Sequence, residues 1–254
     1  MISCRLEGGI GNQLFQIAAA HALALRNNDI SGFDLNKCHT PSQGKPSNRY
    51  KENILKYVNN VSEYNLKYLY NEPKFSYQEI PYVNDLILQG CYQSEYYFID
   101  YKDEIIRLFG TELNNKFITE YLNRYSSPIT SVHVRRGDYM NNPDFHKPCP
   151  IEYYKQAMTI IGDSTFIFIS DDINWVKENF KGDNIIYSPF TSDVDDLNLM
   201  VKCDNNIIAN SSFSWWGAYL NENENKKIIS PKEWFGPNGP KDTQDIIPKN
   251  WLKI

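Results

Sequence analysis

From Ile129 to Ser230 the chain alternates short β-branched runs with amphipathic stretches, and no other feature constrains its fold as tightly. Ile129-Thr130-Ser131-Val132-His133-Val134 reads as a strand, Ile151 to Ile161 as a helix, Thr165 to Ile169 as a buried strand, and Asn174 to Phe180 as a helix. The pattern continues with a strand at Asn184 to Tyr187, a helix at Asp193 to Lys202 and a strand at Asn206 to Ala209. A helix at Phe213 to Leu220 and a strand at Lys227 to Ser230 complete it. Helices of this length between strands imply right-handed crossovers and a parallel sheet. In such sheets ligands sit beyond the carboxyl ends of the strands, so the C-terminal half reads as a nucleotide-binding α/β layer.

The N-terminal half repeats the theme more loosely. Met1 to Glu7 is a short apolar start, Gly8-Gly9-Ile10-Gly11 breaks it, and Asn12 to Arg26 carries helical spacing through Leu14, Ile17, Ala18, His21, Ala22 and Leu25. The glycines resemble a dinucleotide turn only in part, because Leu14 follows where a third glycine would be needed. Residues 36–50, with Pro41, Gly44 and Pro46, read as a loop. Residues 54–125 are tyrosine-rich and read as helical with short strands. A linker is expected near residues 123–128, Asn-Arg-Tyr-Ser-Ser-Pro, dividing 1–125 from 126–254. At 254 residues the chain is long enough for one large domain or two modest ones, each with a real core.

Three polar clusters fall at predicted strand ends: Arg135-Arg136-Gly137-Asp138, Ser170-Asp171-Asp172 and Asn210-Ser211-Ser212. A guanidinium offers a planar, permanently charged fork that suits a pyrophosphate. Successive side chains on an extended strand point to opposite faces, so one arginine should hold phosphate and the other should brace the loop. A surface arginine pair in ordinary salt bridges is the alternative. Ser212 or Ser214 is placed to cap the helix that follows, and a helix N-terminus there would also bind phosphate. Trp215 and Trp216, adjacent on that helix, read as core. Asp171 and Asp172 either contact a nucleotide's base or ribose or cap the next helix. Asp193-Val194-Asp195 is a literal DxD, but its place at a helix start favours interaction with the helix dipole over a metal.

Several classes are excluded. A net charge of -5 does not suit a nucleic-acid binder. The five cysteines are odd in number, scattered and without CxxC spacing, which argues against a disulfide framework or zinc and for a reducing, cytoplasmic location. No run of about 18 apolar residues occurs, so no transmembrane segment is expected, and peripheral membrane association is left open. His133 and His146 do not have metal-ligand spacing with any cysteine pair, and no metal is expected.

Taken together, the motifs resemble family 11 glycosyltransferases, the α-1,2-fucosyltransferases. The matching stretches are Gly8 to Gln16, Gln89 to Phe98, His133 to Tyr139, His146 to Cys149 with Tyr153-Tyr154, Phe168 to Asp172, and Asp196-Leu197 through Cys203 to Asn210-Ser211-Ser212-Phe213-Ser214-Trp215-Trp216-Gly217-Ala218. The resemblance implies a GT-B-like α/β fold, two Rossmann-like domains with a cleft between them, the first on the acceptor side and the second binding GDP-fucose. It further implies a GDP-fucose donor, no cofactor, a galactose-terminated glycan acceptor, metal independence and inversion at the anomeric carbon. Residue by residue, Arg135 would bind the β-phosphate, His133 and one of Asp171 and Asp172 would contact the guanine side, and Ser211, Ser212 and Phe213 would lie at the diphosphate. Asn12 would approach the fucose or phosphate from the N-terminal domain. Asp138 and His146 are the candidates for a general base. Two other readings stay open at this point: a metal-dependent transferase using another nucleotide sugar at Asp193 and Asp195, and a nucleotide- or carbohydrate-binding protein without turnover.

Overall fold

The structure, a computed structural model, describes residues 1–36, 45–62, 66–126 and 128–254. It divides into two units, Met1–Glu112 with Asp242–Pro248, and Leu113–Lys241 with Lys249–Ile254.

In the first unit, the apolar start of the chain is strand β1 (Ile2–Cys4), followed by helix α1 (Ile10–Arg26), strands β2 (Tyr68–Asn71) and β3 (Leu86–Gln89), and helix α2 (Lys102–Gly110). The sheet order is β1-β3-β2 with both pairings parallel. Gly8 is needed at the turn between β1 and α1: its φ is +75°, and a Cβ there would lie 2.5 Å from the Asn12 amide. Most of the apolar stripe of α1 is shielded, with Leu14, Phe15, Ile17, Ala18 and Ala22 all at 0 % exposure and His21 and Leu25 partly buried. The late segment Asp242–Pro248 is anchored by two carboxylates. Asp242 Oδ2 accepts from the Ser76 N–H at 3.0 Å and Asp245 Oδ2 from the Tyr77 N–H at 3.0 Å.

The second unit contains α3 (Lys116–Leu122), β4 (Ile129–Val134), α4 (Ile151–Ile161), β5 (Thr165–Ser170), α5 (Ile173–Asn179), β6 (Ile185–Tyr187), α6 (Asp193–Lys202), β7 (Asn205–Ile207), α7 (Ser212–Tyr219), β8 (Ile228–Ser230) and β9 (Leu252–Lys253). Its six-stranded sheet runs β6-β5-β4-β7-β8-β9, parallel throughout. Renumbered within the unit, this is the doubly wound order 3-2-1-4-5-6, in which the winding reverses between the first strand and the fourth. Those strands are β4 and β7. All six residues of β4 are buried, as a central parallel strand covered on both faces requires. On one face Val132, Val134, Phe166 and Phe168 meet Tyr153, Tyr154 and Ala157 of α4 and Val176 of α5. On the other, Ile129, Ile167 and Ile169 meet Ile118 and Tyr121 of α3 and Leu199 and Met200 of α6.

Some expectations shift. The expected linker at 123–128 lies inside the second unit, because α3 is already part of that unit's core; Ser127 is outside the described residues. The strand expected at Asn206 to Ala209 is β7, Asn205–Ile207, with Ile208 and Ala209 continuing buried beyond it. β9 was not foreseen: it has two residues, both exposed, and carries no period. Most of the 36–50 loop, including Cys38, lies outside the described residues. Cys4, Cys91, Cys149 and Cys203 are free thiols, and no helix among the described residues is long and apolar enough to cross a membrane.

Candidate active site

β4 ends at Val134, and the two arginines that follow it diverge. Arg135 reaches Asp138 Oδ1 through Nη2 at 2.7 Å and Asp171 Oδ2 through Nη1 at 3.0 Å. Arg136 bonds Asp172 Oδ2 through Nε at 3.1 Å, and its guanidinium lies 4.0 Å from the centre of the Trp175 ring. Arg135 keeps 35 % of its side chain exposed and Arg136 only 17 %. The arginine with the stacked, more buried guanidinium is therefore the brace, and Arg135 is the one with a surface left for a ligand.

The carboxylates after β5 hold this arrangement. Asp171 Oδ1 accepts the Arg136 backbone N–H at 2.9 Å. Asp172 is the N-cap of α5, accepting from the Trp175 N–H at 3.2 Å. Capping, one of the two readings left open for this pair, is realised at Asp172. Asp171 packs so closely on the loop after β4 that a Cβ on Gly137 would lie 2.5 Å from its Oδ2, so a side chain at Gly137 would displace the partner of Arg135.

Tyr139 joins this cluster to the end of β7. Its hydroxyl donates to the Asn210 carbonyl at 2.9 Å, and its ring stacks on His146 with centroids 4.5 Å apart and planes at 11°. Asn210 is buried, and its amide donates to the carbonyls of Lys147 and Trp234, both at 2.9 Å. Tyr139 was not singled out as a site residue from sequence, and Asn210 only as a member of the polar cluster at its strand end. The signal available was their position, one immediately after Asp138 and the other immediately before Ser211.

Helix α7 begins beside Asn210. Its N-cap is Ser211, extended at φ −138° and ψ 127°, and Ser211 makes no side-chain capping bond. The expectation that Ser212 or Ser214 caps this helix is corrected: Ser212 is its first residue, and Ser214 turns its hydroxyl back to the Ser211 carbonyl at 3.3 Å. An N-terminus without a side-chain cap presents backbone N–H groups and a positive dipole end to a ligand. Trp215 and Trp216 are core, both at 0 % exposure.

His133 lies under this edge, with its ring 5.5 Å from that of Phe213 and its Nδ1 buried without a partner. Burial, and secondarily the charge of Arg135, pushes its pKa down to about 3 from 6.5. The folded ring is therefore neutral while an unfolded one protonates near 6.5, so the stability tied to it is complete above pH 6.5 and lost as pH falls towards 3. His133→Phe is expected to flatten that loss by on the order of 1 kcal/mol per pH unit, checked by comparing urea unfolding midpoints of the two proteins at about pH 7 and about pH 5. Parallel curves would refute it. Burial also lowers the pKa of His146, which Asp138 opposes and Arg135 reinforces, favouring a neutral imidazole beside Arg135.

Asn12 belongs to the first unit, where its Oδ1 accepts from Gln93 Nε2 at 3.0 Å. The other amides of the same motif brace the turn. Gln13 donates to the Gly8 carbonyl at 2.8 Å and accepts from the Ser47 hydroxyl at 2.8 Å, while Gln16 accepts from the Glu7 N–H at 2.9 Å and donates to the Gly90 carbonyl at 3.0 Å. Glu72, which no sequence pattern marked, accepts from the Cys91 and Tyr92 N–H groups at 2.7 and 3.0 Å, and burial raises its pKa to about 7. The acidic residues Asp193, Asp195 and Asp196 form the first turn of α6. Asp195 accepts from Asn115 at 3.4 Å and Asp196 from the Ser188 hydroxyl at 2.8 Å. Among the described residues, no group of three or more His, Cys, Asp and Glu side chains is arranged to hold a metal ion.

A permanently charged fork and a helix N-terminus whose N-cap makes no side-chain bond thus lie at the switch point of a parallel sheet. Residues 45–254 match the sequence profile described as glycosyl transferase family 11. The chain belongs to that family. The O-antigen biosynthesis glycosyltransferase WbnK of Escherichia coli is 33 % identical with 100 % of both chains covered. An alpha-1,2-colitosyltransferase of Escherichia coli is 27 % identical, covering 100 % of this chain and 99 % of its own. A galactoside 2-alpha-L-fucosyltransferase of Caenorhabditis elegans is 23 % identical over 88 % of this chain and 70 % of its own. Among solved structures, the fucosyltransferase NodZ from Bradyrhizobium gives a TM-score of 0.53 at 14 % identity, covering 85 % of this chain and 91 % of that one. That likeness is one of fold: α/β with parallel sheets, GT-B-like.

Proposed function

We propose that this family 11 enzyme transfers L-fucose from GDP-fucose to the 2-hydroxyl of a galactoside, inverting the anomeric carbon, in glycan biosynthesis. The observation that carries the reading is Arg135, held by Asp138 and Asp171 at the switch point with about a third of its side chain open. As the sugar departs, negative charge grows on the diphosphate, and a fixed guanidinium together with the α7 N-terminus stabilises that state more than the bound donor. Of the two base candidates, Asp138 is ion-paired to Arg135, so His146, its imidazole favoured neutral by burial, is the better proton acceptor. The donor side is assigned to His133, Asp171, Ser211, Ser212 and Phe213. The free thiols suit a reducing compartment, the cytoplasm.

A second reading is favoured by the full-length similarity to the alpha-1,2-colitosyltransferase: the sugar transferred is colitose. Incubation with GDP-fucose, and separately with nucleotide-activated colitose, against a panel of β-galactosides in chelator separates the two. Product from GDP-fucose with an α-1,2 linkage is expected. Transfer from the colitose donor alone would replace the first reading with the second, and donor binding without transfer from either would make the protein a binder. Because Asp193 and Asp195 sit in the first turn of α6, the double variant Asp193→Asn/Asp195→Asn is expected to keep the wild-type transfer rate with or without manganese, within about twofold. Loss of activity that manganese modulates would instead assign a metal to the DxD.

A further inference from the structure

We propose that Tyr139 is a positioning residue that sets the plane and reach of the Arg135 guanidinium by fastening the loop after β4 to the end of β7. This inference rests on the reading of Arg135 as the diphosphate-binding cation.

The two carboxylates partnering Arg135 fix the direction of its two terminal nitrogens, Asp138 taking Nη2 and Asp171 taking Nη1. Contacts made at the edge of a planar group leave its tilt undetermined. The face of Tyr139 supplies that restraint, with the guanidinium carbon 5.5 Å from the ring centre, inside the range of a cation–π contact. The ring itself is not free to follow the arginine. His146 stacks on it at 4.5 Å, and its hydroxyl is bound to the Asn210 carbonyl at 2.9 Å.

Asn210 is a rigid acceptor. It is 1 % exposed, its amide nitrogen donates to Lys147 and Trp234 carbonyls, and its Oδ1 accepts from the Cys149 thiol at 3.4 Å. It also immediately precedes Ser211, the N-cap of α7. One hydroxyl therefore ties the cation after β4 to the helix N-terminus after β7 across the strand order's reversal. Burial keeps the phenol protonated by raising its pKa, so the tie persists across the neutral range.

The test is a double-mutant cycle read by calorimetric titration with GDP on the full chain. Tyr139→Phe removes only the hydroxyl and is expected to weaken GDP binding about fivefold; Tyr139→Leu removes the ring face too and should weaken it about tenfold or more. The acceptor KM should be unchanged in Tyr139→Phe, which keeps the ring stacked on His146, a split that general loosening of the fold would not produce. In an Arg135→Ala background neither substitution should weaken GDP binding further. If Arg135→Ala binds GDP as wild type does, the diphosphate reading itself fails. If Arg135→Ala weakens binding but the Tyr139 substitutions act equally in both backgrounds, or in neither, the diphosphate reading stands and the positioning role is overturned. Should Tyr139→Leu fail to fold, Tyr139→Phe alone completes the cycle.

Discussion

Replacing Arg135 by alanine is expected to lower kcat for sugar transfer about 100- to 1,000-fold, the range seen when one fixed donor to a developing negative charge is removed. The site's geometry is the reason. Asp138 and Asp171 point the guanidinium before any ligand arrives, so no reorganisation is needed as charge grows on the leaving diphosphate. Arg135→Lys keeps the charge and loses the fork, since an ammonium cannot reach two carboxylates and two phosphate oxygens with the same planar spacing. It should fall between alanine and wild type. Arg136→Ala should act differently, because Arg136 is bonded to Asp172 and stacked on Trp175; its cost should appear in thermal stability as well as in rate. Initial rates at saturating donor check all three. An Arg135→Ala enzyme with near wild-type kcat would remove this residue from the chemistry.

The largest effect on stability is expected at Trp215. Its ring is fully buried, stacks on Tyr219 at 4.5 Å with planes at 17°, and touches Trp216 and Trp251 with centroids 5.1 and 5.4 Å away. Truncating a side chain of this size in a packed core costs about 3–5 kcal/mol, against a total stability of about 5–15 kcal/mol for a typical domain. Trp215→Ala should therefore shift the urea unfolding midpoint far down or prevent the second unit from folding, and GDP binding should go with it because α7 carries Ser212 and positions its N-cap Ser211. Trp215→Phe, which retains an aromatic plane, should cost less. A Trp215→Ala protein whose midpoint moves by less than about 1 kcal/mol equivalent would show that the neighbouring rings close the space.

The elements that were legible are those with strong local signals. α4 and α6 fall at their expected bounds, because Pro150 and Gly162 bracket one and Ser192 with three acidic residues opens the other. The core role of Trp215 and Trp216 followed from helix geometry alone. The cap of α7 was not legible, since Ser211, Ser212 and Ser214 are chemically interchangeable and only the backbone turn decides which one stands outside the helix. Nor was Glu72, whose half-buried carboxylate is defined by N–H groups of a segment that follows a different strand.

By itself the sequence determined the α/β alternation and hence a parallel sheet, because hydrophobic period and breaker residues are local properties of the chain. It also required Arg135 and Arg136 to part, because an extended backbone alternates its side chains. Which arginine remained available was decided only by tertiary structure. Asp172 and Trp175 come to Arg136 from β5 and α5, Asp171 comes to Arg135 from the same strand end, and Tyr139 finds Asn210 after β7. Strand order alone brings those ends together, and strand order depends on contacts between residues 35 to 71 positions apart, beyond the reach of any local pattern.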